Sequence, residues 1–332
     1  MDVTDLLARA VDAGASDLHL AAGQIPMLRV DGGLQRMALP TLGAASLLEG
    51  MATVLDEDQC RQWAQGDELD LALELPVLGR FRLNLFRQLH GPAATFRLIP
   101  RRIATLDELD LGDVFQAFAR CSDGLILVGG PTGSGKSSTL ATLLDRLNRD
   151  RALHIITLED PVEVIHASQH SLINQREVGR HCGGFAQGLR SALRQDPDVI
   201  MIGELRDLET IRLALRAAET GHLVLATVHT RSAVNSIDRL VEVFAAEEKA
   251  LVRTMLAESL RLVVAQVLVR RAGGGRVAAR EVLVVTPAVR NLVREGRMAQ
   301  LYSVMQASGA DGMRTMEGAL RGLKERGLIS DL

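Results

Sequence analysis

The stretch GPTGSGKS, Gly130 to Ser137, has the residue types and spacing to hold a polyphosphate. In the pattern G-x-x-x-x-G-K-[ST], glycines let the backbone curl so that successive N–H groups face phosphate oxygens. Lys136 adds an ammonium for the β- and γ-phosphates, and Ser137 adds a hydroxyl for magnesium. The motif follows the apolar run GLILVGG and opens a helical pattern, so the helix N-terminus supports the same negative charge. A glycine turn that matched by chance would lack both neighbours. The expected nucleotide contacts are Gly130, Pro131, Thr132, Gly133, Ser134, Gly135, Lys136, Ser137 and Ser138.

Further chemistry-bearing residues flank apolar, strand-like runs. LEDPVE carries Glu159, Asp160 and Glu163; VIMIGE ends in Glu204; TGHLVLATVHT supplies His222 and His229. The carboxyl ends of parallel strands share one edge of a sheet, and ligands bind there. Any one of these residues reads equally well as a turn acid or a satisfied histidine, but together they converge on the glycine loop. In nucleotide-hydrolysing P-loop proteins the strand read in VIMIGE usually ends in an aspartate that helps hold magnesium. Here Gly203 occupies that place and Glu204 follows. An anionic transition state also invites arginine, and Arg82 in GRFRLN and Arg97 in TFRLIP are the leading candidates, with Arg80 and Arg87 behind them. Alternating charge on a strand equally suits a solvated edge.

These residues need elements to position them. Residues 1–99 are expected to form a small mixed domain: an amphipathic helix over VTDLLARAV, then short strands, of which GRFRLNLFRQ and AATFRLIP alternate apolar and charged residues. The polar segment 100–113 is expected to be the linker. Residues 114–332 alternate strand and helix, which implies a parallel sheet covered on both faces. The part from about 247 to 332 is expected to be mostly helical around one strand-like run, RVAAREVLVV. His166 and His170, four apart, could share a helix face for a metal.

Composition removes several classes. Aromatics make up 3% of the chain, with one Trp and one Tyr, and the net charge is −3. That leaves little for stacking bases or tracking a nucleic-acid backbone. Cys60, Cys121 and Cys182 are far apart and form no C-x-x-C pair, which suits a reducing compartment. The acidic start MDVTDLLARAVDAGASDLHL is not expected to be a signal peptide. The run LRLVVAQVLV is too short to span a membrane, so a cytoplasmic location is expected.

GPTGSGKS, LEDPVE, ALRQDPDVIMIGELRD and TGHLVLATVHT resemble the Walker A, Asp box, Walker B and His box of the type II/type IV secretion ATPase superfamily. Within it, GRFRLNLF, NQREVG, RDLETIRLALRAAETGH and TPAVRNLVREG are similar to the type IV pilus retraction ATPases, the PilT family of twitching motility. The resemblance implies an α/β fold, with an N-terminal PAS-like α+β domain and a RecA-like P-loop ATPase domain. It also implies a homohexameric, ATP- and magnesium-dependent motor at the cytoplasmic face of the inner membrane, peripheral and not inserted. Its implied partners are the pilus platform protein and, indirectly, pilin. Gly203–Glu204 is then the family's own form of that strand end. Ser137 and Glu204 are implied at magnesium, the latter directly or through water, and Glu163 at the attacking water; the apportioning between the two glutamates stays open. Arg82 and Arg97 are favoured as charge donors, His229 joins the catalytic set, and His222 and Arg239 are implied near the nucleotide. The segment PAVRNLVREG matches the retraction signature, which by its period alone is an ordinary amphipathic helix. Three alternatives stand beside this reading: an accessory or secretion ATPase of the same superfamily, a RecA-like DNA translocase, and a non-hydrolysing scaffold.

Overall fold

The computed structural model describes residues 2–100 and 102–330. The chain divides into two compact units, Met1–Arg102 and Ile103–Leu332.

In the first unit, α1 (Val3–Asp12) starts where the Asp2 carboxylate accepts the N–H groups of Thr4 and Asp5. Val3, Leu6, Leu7 and Ala10, spaced for one helical face, are buried. The strands are β1 (Asp17–Ala21), β2 (Met27–Val30), β3 (Gly33–Arg36), β4 (Leu69–Leu75), β5 (Gly79–Gln88) and β6 (Gly91–Ile99). They form an antiparallel sheet in the order β3-β2-β1-β6-β5-β4. α2 (Ala44–Ala52) and α3 (Glu57–Gln65) connect β3 to β4. Alternation along β5 buries Phe81, Leu83 and Leu85 and sets Arg80 and Arg82 on the opposite, partly exposed face. Arg82 and Arg97 are directly paired across β5 and β6.

The second unit runs α4 (Gly112–Phe118), β7 (Gly124–Gly129), α5 (Lys136–Asp150), β8 (His154–Glu159), β9 (Leu172–Glu177), α6 (Phe185–Ala192), β10 (Val199–Ile202), α7 (Leu208–Glu219) and β11 (Leu223–Val228). It continues through α8 (Ala233–Glu242), α9 (Lys249–Ser259), β12 (Leu260–Arg270), β13 (Arg276–Val284), α10 (Pro287–Glu295), α11 (Met298–Ala307) and α12 (Met316–Glu325). The sheet order is β13-β12-β7-β11-β10-β8-β9, parallel except for β13. Apolar residues of β7 alternate between two cores: Leu125 and Leu127 join one, Ile126 and Val128 the other. Both faces are therefore covered, which is the RecA-like arrangement the resemblance implies. Among the described residues, no helix is long and apolar enough to cross a membrane.

Three features differ from the sequence expectations. The region from 247 onward holds a second long strand, β12, beside β7 in the sheet. LRLVVAQVLV is a continuous apolar run without a 3.6 period, and its β-branched valines suit a strand buried on both faces. The expected linker 100–113 is largely part of the second unit: Leu106 and Leu111 are buried against Phe115, Leu140 and Leu144, and α4 begins inside it. Ala104 O accepts from Thr142 Oγ1 at 2.9 Å, and Leu109 O accepts from Arg280 at 2.6 Å. The surrounding acids had hidden those two inward leucines. Finally, His166 and His170 lie in an irregular segment and share no helix face.

Candidate nucleotide site

β7 is buried along its whole length and delivers the chain to Gly130 at the carboxyl edge of the sheet. Gly130, Gly133 and Gly135 take φ of 153°, 76° and 89°, conformations that glycine adopts without strain. Gly130 is also a point of close approach: a Cβ there would lie 2.4 Å from Ser134 Oγ and 2.5 Å from the backbone oxygen of Gln266. α5 starts at Lys136 with no side-chain cap, which leaves its first N–H groups for an anion.

Lys136 Nζ donates to the carbonyls of Gly130 at 2.8 Å and Pro131 at 3.0 Å. Burial pushes its pKa down, and the charges of Glu204 and Glu163 work against that shift. Both carboxylates therefore act on the loop's ammonium. Ser137 and Ser138 occupy the exposed side of the same first turn.

Strand register explains why the acids arrive together. Ile202 pairs with Leu158 on one side and Ala226 on the other, while Val228 pairs with Gly129. The chain thus leaves the sheet at Glu159, Gly203, His229 and Gly130 along one edge. Gly203 is confined there, since a Cβ would stand 3.2 Å from Leu158 O. Glu204 Oε1 lies 3.2 Å from His229 Nε2, and its Oε2 lies 2.6 Å from Arg206. Burial of Glu204 favours protonation, but the hydrogen bond and charge of Arg206 and the contact with His229 outweigh it and hold the carboxyl below its ordinary value. It is an anion at neutral pH.

Glu163 sits on a loop stitched down from two sides. Gln175 Nε2 donates to Val164 O at 2.8 Å and to Glu159 Oε1 at 3.1 Å. Its Oε1 accepts the His166 N–H at 2.8 Å, and Glu177 Oε2 accepts the Val162 N–H at 3.0 Å. Glu159 is buried, which raises its pKa, while the Thr157 hydroxyl at 2.6 Å and the Gln175 amide oppose the rise. It is an internal prop of this loop. Gln175 and Glu177 lie two apart on β9, so both face the loop; they are alternate positions of NQREVG, and their type and spacing were the available signal. Arg206 and Gln266 were also unforeseen, although a lone amide inside LRLVVAQVLV stands out, since a buried polar group must find partners.

Not every expected residue reaches this edge. His222 precedes β11, at the opposite end of the strand from His229. Its Nδ1 lies 3.0 Å from Ala217 O, and its carbonyl accepts the Gly124 N–H. Six strand residues separate it from the loop, about 20 Å, so it is not a nucleotide ligand of its own subunit. Arg239 is in the last turn of α8, about 10 Å along the helix from its Ser232 cap, and faces outward. In the first unit, Arg82 makes a two-pronged pair with Asp70 at 2.9 and 2.8 Å, and Arg97 bonds Asp17 at 3.0 Å.

The family model described as "Type II/IV secretion system protein" matches residues 1–325. The chain is 52% identical to the type IV pilus retraction ATPase PilT of Pseudomonas aeruginosa, over 99% of this chain and 96% of that protein. The chain belongs to the PilT family of type II/IV secretion system proteins. A twitching motility protein of Neisseria gonorrhoeae is 49% identical over 92% of this chain and 82% of its own length. The crystal structure of the pilus retraction motor PilT with bound ADP superposes with a TM-score of 0.87 at 41% identity, covering 99% of this chain and 95% of that one. This PilT-family chain is an ATPase.

Proposed function

We propose that the protein is the ring-forming motor of type IV pilus retraction, turning ATP hydrolysis into withdrawal of pilin. The observation that carries this reading is the 52% identity, across essentially the whole chain, to a retraction ATPase. Assembly as a homohexamer repeats one head-to-tail interface around an axis. The platform protein of the pilus machine is the proposed partner at the cytoplasmic face of the inner membrane, where the motor works without inserting.

Within the site, the glycine loop and Lys136 grip the β- and γ-phosphates, and Glu163 orients the attacking water and takes its proton. The hydroxyl of Ser137 and the ionised carboxylate of Glu204 are hard oxygen donors of the kind magnesium takes alongside phosphate and water. When bound, the metal supplies charge neutralisation at the phosphate oxygens. His229 and Arg206 keep Glu204 anionic and aimed. Arg82 and Arg97 are the proposed sources of extra positive charge. Arg82→Ala and Arg97→Ala should each lower kcat about tenfold to hundredfold, the worth of a charged hydrogen bond in the transition state. Steady-state phosphate release decides this, and unchanged turnover in both would return them to holding Asp70 and Asp17.

Deleting the gene tests the whole reading. Surplus surface pili with lost surface motility are expected. Cells without pili would mean an extension motor and would overturn the proposal.

A further inference from the structure

We infer that Gln266 is a positioning residue for nucleotide binding, holding the phosphate loop and the first turn of α5 in their gripping shape. β12 runs parallel beside β7 with Ala265 paired to Gly129. Gln266 therefore lies level with the point where the chain turns out of the sheet into the loop. It is 1% exposed, and its neighbours along the strand are apolar.

Both polar atoms of its amide bond to this loop and helix. Nε2 donates to Ser134 O at 2.7 Å, and Oε1 accepts from Thr139 Oγ1 at 2.9 Å. Its backbone oxygen fills the space that a side chain at Gly130 would need. One residue thus touches the entry of the loop, its far limb and the helix beyond. The carbonyl and N–H of a trans peptide point in opposite directions. With Ser134 O drawn toward β12, the Gly135 N–H must point away from β12, and it leads directly into the helix N-terminus that faces an anion. An apolar side chain of similar volume would pack in this strand without the cost of burying an amide. Stability alone therefore does not account for glutamine here, whereas orientation of the loop does.

The inference rests on the ATPase activity of the family and not on the pilus reading. A strain that failed to show the retraction phenotype would leave the following measurements unaffected. In the full-length protein, Gln266→Met removes both side-chain bonds at similar volume. KM for ATP and the dissociation constant of ADP should both rise about tenfold. The loop holds phosphate in ground and transition states alike, so kcat should change less than about threefold. A merely structural role would shrink the active fraction, lowering kcat at unchanged KM. Thr139→Val removes only the hydroxyl partner and should raise KM about fivefold, adding less than that factor in the double variant because the two share one network. KM and ADP affinity within about twofold of the parent in folded Gln266→Met would overturn the inference. If Gln266→Met does not fold, Thr139→Val decides alone, and an unchanged KM there overturns it equally.

Discussion

Glu163→Gln should leave nucleotide bound and nearly stop its hydrolysis, with kcat reduced about 10²–10⁴-fold, the usual worth of a positioned general base. Glutamine keeps the size of the side chain and one oxygen to align water, but it does not accept the proton. The loop should hold its shape, because Gln175 and Glu177 bind it through backbone groups of Val162, Val164 and His166. Glu204 keeps His229 and Arg206 in the variant, so the rest of the edge stays charged as before. Phosphate release and fluorescent-ADP titration on the same preparation separate the two effects. Normal turnover in Glu163→Gln would transfer the proton-accepting role to Glu204.

Lys136→Ala should lower kcat/KM about 10²–10³-fold, as expected for removal of a preorganised cationic donor aimed at developing charge. Its stability effect should run the other way. Burial depresses the pKa of Lys136, so the folded state penalises the ammonium that the unfolded chain carries freely. That penalty is fully present at pH values below the folded pKa and is relieved as pH rises through it toward the ordinary 10.5. At neutral pH, removing the lysine removes the penalty while leaving two carbonyls without their donor. A melting temperature at or above that of the parent, together with lost activity, is the expected pair of results. A large fall in melting temperature would mean that the lysine is a structural strut.

The loop, its flanking strand and helix, and the convergence of Glu163, Glu204 and His229 were legible because each motif sits at a strand end and parallel strands share an edge. His222 misled for the same reason. It lies in the same short motif as His229, but the strand between them carries the two to opposite ends of the sheet. β12 escaped because an apolar run buried on both faces has no period to read. The seat of Leu106 and Leu111 escaped because their acidic neighbours dominate the composition there. Arg82 and Arg97 were recognisable as candidates but not as partners of Asp70 and Asp17, since those ion pairs depend on strand register across β4–β5 and β1–β6. Side-chain braces such as Gln175 and Gln266 depend on register, which single-chain patterns do not specify.

The seating of residues 103–111 has a mechanical consequence. Ala104 is held by Thr142 of α5, and Leu109 by Arg280 of β13. The rod that carries Lys136 at one end also carries the anchor at Thr142, two turns along. Residues 104–111 are thereby keyed to the helix that begins at the phosphate loop, so that a tilt of that rod would carry them along as the arm of one lever.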